Sequence, residues 1–212
     1  MQLSGRKIII GDVHGCIDEL NELIDRLNLT ADDHLIFIGD LIDRGPDSYA
    51  VIKRVLELSH KNKLDLILGN HEDKLLRYHQ HKINGTNHWK KMKGVEGYDS
   101  LLAACSDEEL NMLKEALWFL RIKELNLLLL HGGLPFGLNI DALDSLKYGE
   151  EKNKEHAFSL INKLRYQTPE GHFVALGEET PDCIFWADAY NGKYGLAVFG
   201  HHPFMQESPA FF

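Results

Sequence analysis

At 212 residues, 44% of them hydrophobic, the chain has enough material for one substantial core, and its length predicts a single domain over residues 1–212. A formal net charge of −9 excludes general affinity for a nucleic-acid polymer or an anionic membrane surface, so a phosphate-bearing ligand has to be held by a local site. Cys16, Cys105 and Cys183 lie far apart without a C-x-x-C pair, no run reaches the roughly 18 apolar residues of a membrane span, and no signal-peptide pattern precedes the first strand, all of which suits a reduced, cytoplasmic protein.

Three apolar runs end in glycine-bearing corners: "KIIIGDVHG" (Lys7–Gly15), "HLIFIGD" (His34–Asp40) and "LDLILGNHE" (Leu64–Glu72). Their Ile- and Leu-rich cores lack polar alternation, which predicts strands buried on both faces. Between the first two, Ile17, Leu20, Ile24 and Leu27 recur at helical spacing, with Asp18, Glu19 and Glu22 turned the other way. Between the second and third, Pro46-Asp47-Ser48 signals the start of a helix carrying Ile52, Val55 and Leu56. This β-α-β-α-β pattern implies an α/β fold with a parallel sheet, and places a ligand beyond the carboxyl ends of the strands.

Further along, residues 79–99 carry four lysines and three histidines with weak periodicity, and read as a lid-like loop; "WKKMK" (Trp89–Lys93) could close over an anionic substrate. "RIKELNLLLLHGG" (Arg121–Gly133) predicts a hairpin turning near Glu124–Asn126, and Lys147 to Leu164 reads as mostly polar helix. Trp186 is expected in the core or in a pocket wall, "NGKYG" (Asn191–Gly195) as a turn, and "KYGLAVFGHHPF" (Lys193–Phe204) as a last strand ending on glycine and histidine.

Five strand ends thus offer Asp12, His14, Asp40, Asn70, His131 and His201, each close to glycine. One aspartate or histidine at a strand end is ordinarily a hydrogen-bonded cap. Six of compatible chemistry point to a pair of metal ions, which needs mixed carboxylate and imidazole ligands and corners tight enough to gather them.

"GDVHG" (Gly11–Gly15), "GDLIDRG" (Gly39–Gly45), "GNHE" (Gly69–Glu72), "HGG" (His131–Gly133) and "GH" (Gly200–His201) resemble, in order, the five signatures of the PPP-type, calcineurin-like metallophosphoesterases. The resemblance implies an αβ-β-sandwich, two mixed sheets flanked by helices, holding two divalent ions, Mn2+ first with Fe or Zn possible. It places Asp12, His14 and Asp40 on one ion, and the shared Asp40 with Asn70, His131 and His201 on the other. Hydroxide bridging the ions would attack phosphorus in line, Arg44 would clamp phosphoryl oxygens, and His71 would protonate the leaving oxygen with Asp43 on its other ring nitrogen.

The small bacterial branch resembled here contains both Ser/Thr-type protein phosphatases and symmetrical diadenosine tetraphosphate hydrolases. "GNHE" and "NHWKKMKG" are similar to the phosphatases, "GDLIDRGPDS" and "LRYQTPEG" to the dinucleotide hydrolases. The first reading is a phosphomonoesterase acting on substrates such as protein Ser/Thr phosphate, with the dinucleotide hydrolase as the alternative. A binding scaffold for phosphorylated ligands without turnover would have been favoured by loss of His71, Asp43 or a ligand, and all are present. Ala187 and Asp188 follow Trp186 where phage-type relatives carry a second phosphate-binding arginine, which makes Arg165 the candidate replacement. The resemblance implies a glycine-rich strand pair beyond the "GH" strand that the sequence as given does not contain, which leaves open either a truncated C-terminus or an incomplete second sheet.

Overall fold

The computed structural model describes residues 5–150 and 156–203. The chain divides into two compact units, Met1–Ala116 and Leu117–Phe212.

The first unit is built on three parallel strands, β1 (Lys7–Ile10), β2 (His34–Phe37) and β3 (Lys63–Leu66), in that spatial order. β2, in the middle, is buried at every position, whereas β1 and β3 each expose their first lysine. Burial on both faces therefore holds fully for the central strand only. Crossover α1 (Ile17–Leu27) buries Leu20 and Ile24, carries Asp18 and Glu19 in its first turn, where the helix dipole favours them, and ends at Asn28 in the left-handed region. Crossover α2 (Ser48–Ser59) starts where the sequence signals it, the Asp47 side chain accepting the Ala50 N–H at 2.8 Å. Leu35, Ile36, Phe37, Ile52, Ile67 and Leu68 are fully buried at the centre of this unit.

After β3 come α3 (Asn70–Ile83), a 3-10 turn at His88–Lys91, α4 (Tyr98–Ala104) and α5 (Asp107–Lys114). The segment expected to be loop from His79 is thus helical as far as Ile83, because Leu75, Leu76 and Tyr78 bury one face of α3 and carry the helix on. The remaining connection leans on that helix, with Trp89 edge-on to Tyr78 and the Lys82 ammonium 4.2 Å from the Trp89 ring centroid.

In the second unit, β4 (Leu117–Ile122) and β5 (Leu127–Leu130) form the expected hairpin through a 3-10 turn at Lys123–Leu125 and left-handed Asn126. β6 (Ser145–Lys147) pairs with β4 and β10 (Leu196–Val198) lies parallel to β5, giving the order β10-β5-β4-β6. A smaller antiparallel sheet joins β7 (Tyr166–Gln167), β8 (Phe173–Val174) and β9 (Ile184–Phe185), and a short α6 (Trp186–Ala189) follows β9. The helix expected over Lys147–Leu164 is not seen among the described residues of that span: Lys147 ends β6 and His156–Leu160 is a 3-10 turn, while residues 151–155 lie outside the described residues. Phe158 in that turn, and Ile161 and Leu164 after it, are buried. No helix among the described residues is long and apolar enough to cross a membrane.

Candidate active site

The residues singled out in the sequence leave the carboxyl ends of their strands: Asp12 and His14 after β1, Asp40 after β2, Asn70 after β3, His131 after β5 and His201 after β10.

In the first unit two corners are stitched together by backbone. The N–H groups of Val13 and His14 both donate to the Asp40 carbonyl (3.0 and 2.8 Å), Gly15 N–H to Leu41, and Gly45 N–H to the His14 carbonyl at 2.7 Å. Two glycines are required by contact. A Cβ on Gly45 would lie 2.1 Å from the His14 carbonyl oxygen, and one on Gly69 would lie 2.2 Å from the Asp40 nitrogen. Glu72, fully buried, finishes the assembly by accepting the N–H groups of Asp40, Leu41, Ile42 and Gly69 at 2.8–3.2 Å. One carboxylate thereby locks the Asp40 corner to the start of α3.

Side chains then converge. Asp40 is 2% exposed and faces two imidazoles, its Oδ2 lying 3.5 Å from His14 Nε2 and 3.9 Å from His71 Nε2. His14 Nδ1 is 2.9 Å from the Ile42 carbonyl and serves as the donor there, so Nε2 keeps its lone pair for the Asp40 side. His71, in the first turn of α3, places Nδ1 2.5 Å from Asp43 Oδ2, which leaves Nε2 pointing toward Asp40. The Tyr98 hydroxyl donates to the same Asp43 oxygen at 2.8 Å, and the Lys74 ammonium stands 3.6 Å away. Burial would push the Asp43 carboxyl up, but the hydrogen bonds from His71 and Tyr98 and the nearby Lys74 charge outweigh it and hold the group below its ordinary value. Burial, followed by the Asp43 charge, drives the Tyr98 phenol far above its usual range, so it remains a donor.

His14, Asp40 and His71 bring one possible ligand atom each within 4.8 Å of one another. This set of imidazole and carboxylate without a thiolate suits a divalent transition metal in an open, catalytic type of site. Asp12, exposed at its corner, is not part of that group, whereas His71, expected as an acid, is. Arg44 is exposed on the loop before α2.

In the second unit His131 is fully buried and His201 half-buried, with ring centroids 5.1 Å apart, since their parallel strands are hydrogen-bonded neighbours. Arg165, expected on phosphate, donates through Nη2 to the His201 carbonyl at 2.8 Å and so braces that corner. Trp186 is 1% exposed and stands against Gly133, walling a groove of about 430 Å³ that also involves Phe136, Tyr190, Lys193 and Tyr194.

Two contributors went unread in the sequence. Glu72 falls inside "GNHE" at the third helical position, where a carboxylate reaching back to the backbone is a known signature. Tyr98 is 55 residues from Asp43, and nothing local marks it.

The family model for calcineurin-like phosphoesterases matches residues 5–205. The chain belongs to this family. As a calcineurin-like phosphoesterase it is a metal-dependent hydrolase of phosphoesters, and the mixed α/β arrangement of sheets and helices is that of the family. Among its relatives, the asymmetrical bis(5'-nucleosyl)-tetraphosphatase PrpE of Oceanobacillus iheyensis is 30% identical, over 93% of this chain and 77% of its own. PrpE of Bacillus subtilis is 33% identical over 92% and 78%. A symmetrical bis(5'-nucleosyl)-tetraphosphatase of Legionella pneumophila is 35% identical over 59% of this chain and 43% of its own. A crystal structure provisionally described as a diadenosine tetraphosphatase superposes with a TM-score of 0.65 at 25% identity, covering 94% of this chain and 76% of that one. A Saccharomyces cerevisiae protein serine/threonine phosphatase shares the fold, with a TM-score of 0.56 at 20% identity over 96% and 63%.

Proposed function

We propose that this calcineurin-like phosphoesterase hydrolyses bis(5'-nucleosyl) tetraphosphates, cleaving asymmetrically to a nucleoside monophosphate and a nucleoside triphosphate. The observation that carries the substrate is the set of relatives matching more than nine-tenths of the chain, all of them tetraphosphatases; four are described as asymmetrical, which favours that cleavage, and one, 32% identical over 91% of the chain, as symmetrical. This replaces protein Ser/Thr phosphate as the first reading and departs from symmetrical cleavage. The groove of the second unit adds support, since flat faces such as Phe136 and Tyr190 suit a nucleobase.

In this reading Asp12, His14 and Asp40 hold one divalent ion, and Asp40 with Asn70, His131 and His201 hold the second, with manganese the first choice. When bound, the ions supply Lewis-acid polarisation of the phosphoryl group and a water acidic enough to attack near neutral pH. The Arg44 guanidinium clamps phosphoryl oxygens through its planar fork. His71 carries a proton on Nε2 toward the leaving oxygen, while Asp43 fixes Nδ1–H and stabilises the charged ring. Arg165 supports the site by holding the His201 corner, in addition to any contact with phosphate. A compartment where nucleotides abound, the cytoplasm, fits this use.

The test is product analysis with purified protein, manganese and diadenosine tetraphosphate. AMP and ATP in equal amounts are expected, and chelation should abolish the reaction. Two ADP per substrate would establish symmetrical cleavage instead. Turnover of phosphopeptides with none of the dinucleotide would return the assignment to protein phosphatase.

A further inference from the structure

Asp43 is committed on several sides. Its backbone is left-handed (φ 67°), its N–H donates to Ser48 Oγ at 2.9 Å, and its Oδ2 accepts both the His71 Nδ1–H and the Tyr98 O–H. A buried phenol has to find an acceptor, and a backbone carbonyl would serve. Tyr98 instead shares the one oxygen that holds the imidazole. It is 2% exposed, with its ring edge-on to Tyr78 at 5.6 Å between centroids and the Lys74 ammonium 5.5 Å from its own centroid. That setting fixes where its hydroxyl points.

The terminal torsion of an aspartate is broad, and one hydrogen bond restrains it poorly. Lys74, a flexible cation 3.6 Å from Oδ2, competes for the same oxygen. A second anchor with a rigid ring behind it removes that freedom. We propose that Tyr98 is a positioning residue for the His71 acid: its O–H holds the Asp43 carboxylate in the one rotamer that aims His71 Nε2 at the reacting centre. Tyr98 opens α4, the element that follows residues 84–97, so its hydroxyl links the end of this connection to the Asp–His pair.

The inference rests on reading His71 as the proton donor, and the experiment separates the two. In manganese-loaded protein, Tyr98→Phe keeps the ring and removes only the hydroxyl. kcat and KM are measured on phenyl phosphate, whose leaving group needs a proton, and on 4-nitrophenyl phosphate, whose leaving group needs one much less. The kcat loss on phenyl phosphate is expected to exceed that on 4-nitrophenyl phosphate by about 5- to 30-fold, with KM changed little on either. Adding Tyr98→Phe to Asp43→Asn should cost nothing further, since the two act as one unit. Equal losses of Tyr98→Phe on both substrates, or additive losses in the double variant, would overturn the proposal. If His71→Asn itself loses equally on both, the acid assignment falls and the Tyr98 role with it. If His71→Asn discriminates and Tyr98→Phe does not, only the Tyr98 role falls. Should Tyr98→Phe prove unstable, parent and variant are assayed on both substrates well below the variant's melting temperature, where the unequal loss must appear for the proposal to stand.

Discussion

Seven non-glycine residues take positive φ among the described residues, and five of them are His14, Asp40, Asp43, Arg44 and His201, each singled out by motif. The other two, Asn28 and Asn126, are asparagines at helix ends, where that conformation is readily accepted. Strain of this kind costs about 1–3 kcal/mol per residue and persists where function requires a side chain at that angle. Arg44 gives the clearest test, being left-handed at φ 68° and exposed. Arg44→Ala and Arg44→Gly should both lose the phosphate clamp and lower kcat/KM about 30- to 1,000-fold, with metal content unchanged. Arg44→Gly should nevertheless be more stable than Arg44→Ala by about 1 kcal/mol, because glycine accepts this backbone freely. Urea melts beside the kinetics decide it. Equal stabilities would mean that the turn carries no strain, and retained activity would mean that phosphate is held without Arg44.

At the scale of elements, the corners are held by carboxylates that do not themselves react. Glu72 gathers four backbone N–H groups without exposure to water, so Glu72→Gln would set an amide NH₂ against donors and should cost about 2–4 kcal/mol in denaturant melts. A loss below about 0.5 kcal/mol would show that this link matters little. Asp33 plays a similar part between β1 and β2. Its carboxylate accepts from Arg6 Nε, Nη2 and backbone N–H and from Thr30 N–H, and these bonds, the Arg6 side chain first, hold it well below the usual carboxylate range. A folded-state value lowered in this way contributes stability that is present above the ordinary carboxylate value near about 4 and is lost as pH falls below it. Melting temperatures from pH 6 to pH 3 should therefore drop less steeply in Asp33→Asn than in the parent, and parallel curves would refute the link. These ties also explain what was legible in the sequence. The β1-α1-β2-α2-β3 order, the Asp47 cap and the Asn126 hairpin rest on short-range patterns and were readable. The stretch after Lys147 departs from the expected helix because a mostly polar composition does not distinguish a long helix from a short 3-10 turn packed through Phe158. The site's ligand types and the Asp43–His71 pair were legible as ordered motifs, while the Tyr98 bond depends on tertiary placement alone.

For the molecule as a whole, charge sets a conflict. The chain carries −9, and two divalent ions would bring this only to about −5, yet the proposed substrate is a tetraphosphate of about four negative charges. At close range the ions and Arg44 attract it. Farther away the net charge repels it, and the distance at which repulsion is felt depends on salt, because the screening length falls from about 30 Å at 0.01 M to about 8 Å at 0.15 M. Raising ionic strength between those values should thus increase kcat/KM for diadenosine tetraphosphate by shrinking the repulsive field more than the short-range attraction. The less charged 4-nitrophenyl phosphate should respond more weakly, which separates steering from any general effect of salt on the enzyme. Sodium chloride titrations at constant pH and saturating manganese, with both substrates, provide the measurement. A fall in kcat/KM for the dinucleotide would mean that a local positive surface dominates its approach. Lys90, Lys91 and Lys93 would then be the first to neutralise, since they put three lysines within four residues.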